Sequence, residues 1–308
     1  MANDEQLYGH ATELALTNFT VSGRPTPIAI VHALARIKAA MAEANRQFSE
    51  TTGVDDELAA AIVAAAGEVL DGRWDEQFGV DAFQTGSGTS TNMNVNEVVA
   101  ALATRRLADR KVHPNDHVNA SQSTNDTFPT AIRIAALVGV RDVLVPGLTR
   151  LAESLGGRAD AFATVVKAGR THLMDASPIM LGHEFGGYHA QVTEAIERIA
   201  DTTRRVAAVP LGGTATGNGL NAPAGASAVA IAELNRQTGL SLRQPPTVSP
   251  RRAGRTRSSN CPVSCGRRPS GSSRSPTTSG CWPAGRAPVW PRSCSPSCNP
   301  ARRSCRAR

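Results

Sequence analysis

The sequence predicts a mainly α-helical fold with a central bundle of long helices. Several segments of more than a dozen residues carry apolar side chains at intervals of three and four positions, which is the helical period. No clear strand pattern separates these segments, and long helices that follow one another in this way pack as a bundle. A chain of 308 residues is also long enough to bury a sizeable core.

The first two helices are predicted between residues 26 and 70. Thr26 and Pro27 read as an N-cap and a first helical residue. The apolar positions that follow at helical spacing are Ile28, Val31, Leu34, Ile37, Met41, Ala44 and Phe48. A second helix is predicted from Asp55 to Leu70, because acidic residues occupy its first turn and Gly72 follows its end.

Four further helices complete the prediction. The first begins after Thr89 and runs to about Ala108, with three asparagines in its early turns that favour a polar role there. The next starts near Thr127 and bends or breaks near Pro146 and Gly147. Another is predicted to open at Pro178 and continue towards Val206. The last runs from Ser227 to Gln237.

Three polar segments interrupt the helical pattern. The first polar segment is Gln84–Glu97, the second is Val112–Pro129 and the third is Gly169–Pro178. The second contains His, Asn, Asp, Ser, Thr and Gln but no Lys, Arg or Glu. A capping and turn cluster is one interpretation of such a segment. Three of them in one chain favour the other interpretation, a single shared binding site.

The uncharged donors of the second polar segment suit a carboxylate ligand. Ser123, Thr124 and Asn125 follow one another directly. Hydroxyl and amide groups hold a carboxylate through short hydrogen bonds, and fixed neutral dipoles stabilise charge that develops during a reaction.

Five motifs in order resemble the fumarase/aspartase superfamily, and specifically the class II fumarate hydratases. They read GSGTSTNMNVNE, VHPNDHVN, SQSTNDTFPTA, GRTHLMDASP and GGTATGNGLNAP, within a resemblance that runs from about Leu7 to about Leu242. Aspartate ammonia-lyase is the alternative within the superfamily. Ser87, His113 and His172 favour the hydratase, because the ammonia-lyase segments resemble QAGAGT, NPND and GRTQ.

The resemblance implies an architecture and a reaction. It implies an amino-terminal lyase domain at residues 1–115 and a central helical bundle at 116–244, incomplete here, that forms the core of a homotetramer with shared active sites. The implied reaction is the reversible hydration of fumarate to (S)-malate, which requires no metal and no organic cofactor.

The resemblance also assigns roles to single residues. His172 is the implied catalytic histidine, and its imidazole suits proton transfer near neutral pH. The implied substrate-binding residues are Ser87, Gly88, Thr89, Ser123, Thr124, Asn125 and Thr171. Taken without the family, Gly86–Gly88 is a tight turn and His172 a structural histidine.

His113, Asn115 and Asp116 match a second, shallower carboxylate site of the hydratases. A His-Pro-Asn-Asp turn without a ligand is an equally good interpretation of these residues. Asn218 stands where the resemblance leads us to expect a threonine.

Residues 245–308 differ from the rest of the chain in composition. They hold 13 arginines, all six cysteines and no Asp, Glu or Lys, whereas residues 1–244 hold 20 basic and 26 acidic residues. The absence of Leu, Ile, Phe, Met and Tyr argues against a core and predicts disorder. The spacing of the cysteines matches no common zinc site. We interpret this tail as out-of-frame translation, which reading the gene in its other two frames would test.

The tail also bears on activity. The loop Gly-Ser-Ser-x-Met-x-x-Lys-x-Asn, which carries the serine base of the family, does not occur in the 308 residues. We therefore expect little activity from the chain as written. A non-catalytic oligomerising or nucleic-acid-binding protein that uses the arginines is the alternative of another class, although nucleic acid is the less favoured partner. No apolar run reaches the length of a membrane span, so a soluble cytoplasmic protein is expected.

Overall fold

The computed structural model describes residues 5–107 and 109–245, and most of these residues are helical. The α-helices in these ranges are α1 His10–Asn18, α2 Ile28–Asn45, α3 Ser49–Thr52, α4 Asp56–Leu70, α5 Thr89–Thr104, α6 Thr124–Gly139, α7 Val145–Ala161, α8 Leu181–Val206 and α9 Ala226–Thr238. The antiparallel strands β1 Val166–Thr171 and β2 Met174–Met180 lie between α7 and α8. The predicted mainly α-helical class is confirmed.

Helix α2 lies at the centre of the core. Its side chains Val31, Leu34, Ile37 and Met41 are almost completely buried. It packs against α4, α5, α6 and α9, so its apolar positions contact neighbours on several sides. Burying each side chain of this size stabilises the fold by roughly 1.5–3 kcal/mol.

The ends of the first helices follow local hydrogen bonds. The predicted start of the second helix at Asp55 is wrong by one residue, because the Asp55 side chain accepts a hydrogen bond from the Leu58 N–H at 2.9 Å and caps α4, which begins at Asp56. The predicted cap at Thr26 is wrong by one residue, because Pro27 occupies the N-cap of α2. The Thr26 N–H instead donates to the Val80 carbonyl, and its hydroxyl lies 2.9 Å from that of Thr91.

Helices α6 and α7 form one long rod. A five-residue π-helical turn, Val140–Leu144, joins them, and Pro146 lies in the first turn of α7. The α-helix is therefore interrupted just before Pro146, as predicted, by the π-helical turn. Proline has no N–H to donate, and its ring clashes with the carbonyl four residues earlier, so a regular α-helical turn cannot form there. At 1.5 Å per residue, the rod from residue 124 to residue 161 is roughly 55 Å long.

The hairpin β1–β2 corrects the prediction that a helix opens at Pro178. Pro178, Ile179 and Met180 belong to β2, where Met180 pairs with Val166, and α8 begins at Leu181. The sequence prediction missed these strands because their side chains are mostly exposed and show no apolar alternation. It also missed α1 and ran α5 too far, since α5 ends at Thr104.

Helices α7 and α8 pack on each other and leave much of their surface open. The Phe162 and Phe185 rings lie 5.5 Å apart between them. Only Ala152 of α7 and Gly182 of α8 are buried in the described part of the chain. Leu151 and Tyr188 are nearly half exposed.

The predicted division at residues 115 and 116 stays a prediction. Beyond Pro245, the predicted tail lies outside the described residues. In the described ranges, no helix is long and apolar enough to cross a membrane.

Candidate active site

The first polar segment is fastened to the start of α5 by Gln84. Its Nε2 donates to the Thr91 hydroxyl at 2.6 Å, and its Oε1 accepts from the Thr91 N–H at 2.9 Å. These two bonds fix the loop that holds Ser87, Gly88 and Thr89. The hydroxyl oxygens of Ser87 and Thr89 lie 2.8 Å apart, and both residues are exposed.

Gly88 brings the first and second polar segments into contact. It is the N-cap of α5, with φ +76°, and it is buried. A Cβ atom at this position would lie 2.4 Å from the ring of Phe128 on α6. Both the left-handed backbone and the close ring require glycine here. The backbone at Gly88 therefore fits the tight-turn interpretation, and a substrate contact by this residue stays a prediction.

Ser123 caps α6. Its hydroxyl accepts from the Asn125 N–H at 3.3 Å, and its own N–H donates to Oδ1 of Asp126 at 3.0 Å. This reciprocal pair is a capping box. The capping interpretation of the second polar segment thus holds for Ser123, whereas the side chains of Thr124 and Asn125 in the first turn bond to other elements.

Two helix N-termini meet at this point. The Asn92 side chain, almost fully buried in α5, donates to the Thr124 hydroxyl of α6 at 3.0 Å. The first turns of α5 and α6 are therefore neighbours. Backbone N–H groups at helix N-termini and their aligned dipoles favour anions, so the site between Thr89 and Thr124 suits a carboxylate.

A third element, the loop after α8, closes one side of the site. The Asn125 Nδ2 donates to the carbonyl of Ala215 at 3.1 Å. The backbone N–H groups of Gly212 and Thr214 donate to Oδ2 of Asp126 at 3.0 and 2.8 Å. Asn218, the departure from the expected threonine, accepts from Leu220 N–H and the Thr216 hydroxyl and stays within its own turn.

Two buried charged side chains lie beneath these polar groups, and the sequence analysis missed both. Lys38 of α2 and Asp126 of α6 have 0% exposure. Burial lowers the pKa of Lys38 to about 7, against an opposing effect from Asp126. Burial also raises the pKa of Asp126, although three backbone N–H groups and Lys38 oppose the change. A lysine within the apolar stripe of α2 was the available signal in the sequence.

Thr171 and His172 lie in the β1–β2 hairpin, beyond the end of α7. His172 and Leu173 have φ of 51° and 63° and form the two-residue turn of the β1–β2 hairpin, where both are exposed. This hairpin follows the end of the roughly 55 Å rod that begins at Thr124. The structure of one chain therefore unites the first and second polar segments and leaves the third separate.

The predicted second carboxylate site is an exposed turn. His113 Nδ1 lies 3.0 Å from Oδ2 of Asp116 and 3.2 Å from the Asp116 N. One nitrogen serves one of these partners at a time, depending on whether it carries a proton. The His113 N–H donates to Nδ1 of His117 at 2.9 Å. Asn115 is exposed beside them, and a ligand role for the three residues stays a prediction.

The united part of the site, among the residues that the structure describes, presents polar groups that suit an anion. Its donors are hydroxyls, amides and helix N-termini, and its buried charges lie behind them rather than in the open face. In the described ranges, no group of three or more His, Cys, Asp or Glu side chains is arranged to bind a metal.

A family model described as lyase matches residues 2–252. The chain belongs to the lyase family. This lyase is 49% identical over 241 residues to the class II fumarate hydratase of Halobacterium salinarum and 47% identical over 228 residues to that of Corynebacterium glutamicum. These matches cover 77% and 74% of this chain but 51% and 47% of the relatives, so the chain spans about half their length.

A solved structure supports the fold assignment. The class II fumarase of Schistosoma mansoni is 36% identical to this lyase with a TM-score of 0.72, over 80% of this chain and 53% of that one. The fold is therefore the fumarase/aspartase fold that the sequence motifs predicted.

Proposed function

We propose that this lyase is a fumarate hydratase by lineage, a class whose reaction is the reversible hydration of fumarate to (S)-malate, and that the chain as written has little of that activity. The observation that carries the proposal is the meeting of the α5 and α6 N-termini, which presents Ser87, Thr89, Thr124 and Asn125 as uncharged carboxylate donors. The similarity to class II fumarate hydratases supports the choice of substrate.

The chemistry explains why such donors serve this reaction. The oxygen of water adds to one alkene carbon of fumarate, while the other carbon receives a proton from the hydroxyl of the serine in the family's loop, which the 308 residues lack. In the reverse direction a weakly acidic C–H loses its proton, and the negative charge spreads into the adjacent carboxylate. Fixed dipoles stabilise that extra charge without binding the ground state too tightly. His172 accepts a proton from the attacking water.

We further propose that the active sites are shared within a homotetramer. His172 lies far from Thr124 in its own chain because the α6–α7 rod separates them, so a complete site takes the two residues from different copies. The open faces of α7 and α8, with Leu151 and Tyr188 nearly half exposed, support packing of copies along these helices. A cytoplasmic location stays a prediction.

The test uses two proteins, the 308-residue chain and a chimaera. The chimaera joins residues 1–244 to the remaining carboxy-terminal half of the Corynebacterium glutamicum hydratase, which supplies the loop that the 308 residues lack. We expect fumarate formation from (S)-malate by the chimaera, followed by ultraviolet absorbance, and far lower turnover by the 308-residue chain. Thr124→Val should remove nearly all malate turnover by the chimaera.

Three results would contradict the proposal. Ammonia release from aspartate without malate turnover would favour aspartate ammonia-lyase. Salt-sensitive DNA binding by the 308-residue chain, together with a chimaera that converts neither malate nor aspartate, would favour the non-catalytic alternative. Turnover by the chimaera that is unchanged in Thr124→Val would remove the carboxylate site from the mechanism.

A further inference from the structure

The complete burial of Lys38 is energetically unfavourable. Its side chain is fully buried on α2, among residues such as Leu34 and Met41 that pack without polar groups. Burying a cation costs free energy that its partners only partly recover, and an apolar side chain of similar volume would often stabilise the fold more. Lys38 therefore calls for a reason other than packing.

The ammonium group fixes the direction of the hydrogen bonds around it. Its Nζ donates to Oδ1 of Asn119 at 2.8 Å and to Oε1 of Gln122 at 3.0 Å. An ammonium group has no acceptor, so both amides must turn their oxygens towards it. The Gln122 Nε2 consequently points away and donates to the Val118 and Ala120 carbonyls at 3.0 and 3.1 Å.

The chain of hydrogen bonds that begins at Lys38 reaches the candidate active site through two further side chains. Oδ1 of Asn119 also lies 3.4 Å from Nδ2 of Asn92, and the same Nδ2 donates to the Thr124 hydroxyl oxygen at 3.0 Å. The Asn92 Oδ1 in turn accepts from the Thr127 hydroxyl at 3.4 Å. Because the Thr124 oxygen already accepts a hydrogen bond, its own proton is left to donate to a ligand.

We propose that Lys38 is a positioning residue, which acts through Asn119 and Asn92 to keep the Thr124 hydroxyl in the donor orientation that a substrate carboxylate needs. This inference rests on the proposed function for the identity of the ligand. The hydrogen-bond direction itself exists without any ligand.

The charge of Lys38 can be changed by pH, and this change tests its effect on the neighbouring amides. On α6, the charged group that acts on Lys38 is Asp126, and its charge favours the ammonium form. The groups that face Lys38 from the segment before α6 are the neutral amides of Asn119 and Gln122. Burial lowers the pKa of Lys38 to about 7, so the group changes charge near neutral pH. A neutral amine also accepts hydrogen bonds, and the enforced direction is then lost.

The experiment is nuclear magnetic resonance of the full 308-residue chain with ¹⁵N-labelled Asn and Lys. We expect the side-chain amide signals of Asn119 and Asn92 to move with pH at the midpoint of the Lys38 ammonium signal. In Lys38→Met both amide signals should shift and lose that transition. In the matched control His117→Gln, which removes a nearby titrating group, the transition should persist.

Asn92 signals that stay fixed while Lys38 titrates, or that titrate unchanged in Lys38→Met, would overturn the proposal. The wild-type titration decides the matter even if Lys38→Met does not fold.

Fumarate binding by the chimaera and by its Lys38→Met variant separates this inference from the proposed function. Loss of the Thr124 donor orientation should weaken fumarate binding by about tenfold in Lys38→Met. A coupled Asn92 and Lys38 titration, together with a chimaera that binds no fumarate, would support the positioning network and contradict the proposed ligand. Fumarate binding that is equal in wild type and Lys38→Met would contradict the positioning role alone.

Discussion

The backbone N–H of Thr214 lies 2.8 Å from Oδ2 of Asp126, although the two residues are 88 positions apart in the chain. The other carboxylate oxygen of Asp126 accepts from the Ser123 N–H and completes the cap of α6. One buried carboxylate therefore holds both the first turn of α6 and the loop after α8. The position of Thr124 and Asn125 depends on this junction.

Asp126→Asn should destabilise the protein. The amide places a donor where the carboxylate accepted backbone N–H groups, and it leaves Lys38 buried without a countercharge. Leaving a buried backbone donor without its acceptor costs roughly 1–3 kcal/mol. Urea unfolding of the 308-residue chain measures the change. The control Asp142→Asn removes a half-exposed ion pair with Arg141 and should change the unfolding free energy much less. Equal losses would contradict the role of Asp126.

Gly88→Ala should be unfavourable in two ways. The φ of +76° strains any other residue, and the new Cβ would meet the Phe128 ring. We expect a loss of about 1–3 kcal/mol in unfolding free energy, because overpacking forces the ring or the helix to move. The matched control is Gly139→Ala, at an exposed helical position with nothing within 4 Å. It should gain roughly 0.5–1 kcal/mol from helix propensity. An unchanged unfolding free energy in Gly88→Ala would show that the N-termini of α5 and α6 are not tightly packed against each other.

The sequence predicted the parts of this molecule that depend on local signals. The apolar period of α2 and the acidic first turn of α4 need only neighbouring residues, and both predictions are confirmed. The pairing of β1 with β2 depends on partners across a turn and leaves no apolar alternation, so the strand containing Pro178 was missed. A lysine in the apolar stripe of α2 marks position 38 as unusual, but the roles of Lys38 and Asp126 arise from contacts between residues far apart in the chain, and a local pattern does not identify those partners.

Lys38 should also make stability depend on pH in a defined window. Its folded pKa of about 7 is below the value of 10.5 for an unperturbed lysine. Between these values the unfolded chain binds more protons than the folded chain, so stability rises with pH through this group and levels off below pH 7. We expect urea midpoints of the wild type to rise between about pH 7 and 10 relative to those of Lys38→Met. Parallel pH curves for the two proteins would contradict a titrating Lys38.

His172→Asn and His113→Asn should differ in the chimaera. A proton-transfer role is exercised mainly in the transition state, so His172→Asn should lower kcat by roughly 10² to 10⁴ and change KM little. His113 lies in an exposed turn with Asp116, and its replacement should cost much less. Steady-state kinetics with (S)-malate give both values. Losses of equal size in the two variants would remove the distinction between the two sites.

Mixing two inactive variants of the chimaera tests whether sites are shared. Thr124→Val and His172→Asn each disable every site in their own homotetramers. If a site takes Thr124 from one copy and His172 from another, random co-assembly leaves about a quarter of the sites with both intact residues. Co-expressed variants should then recover about that share of activity, whereas separately purified variants mixed without exchange should recover none. If each site used both residues of one chain, co-expression would restore nothing. The length of the α6–α7 rod argues against that outcome, since it separates the two residues in a single chain by several tens of ångströms.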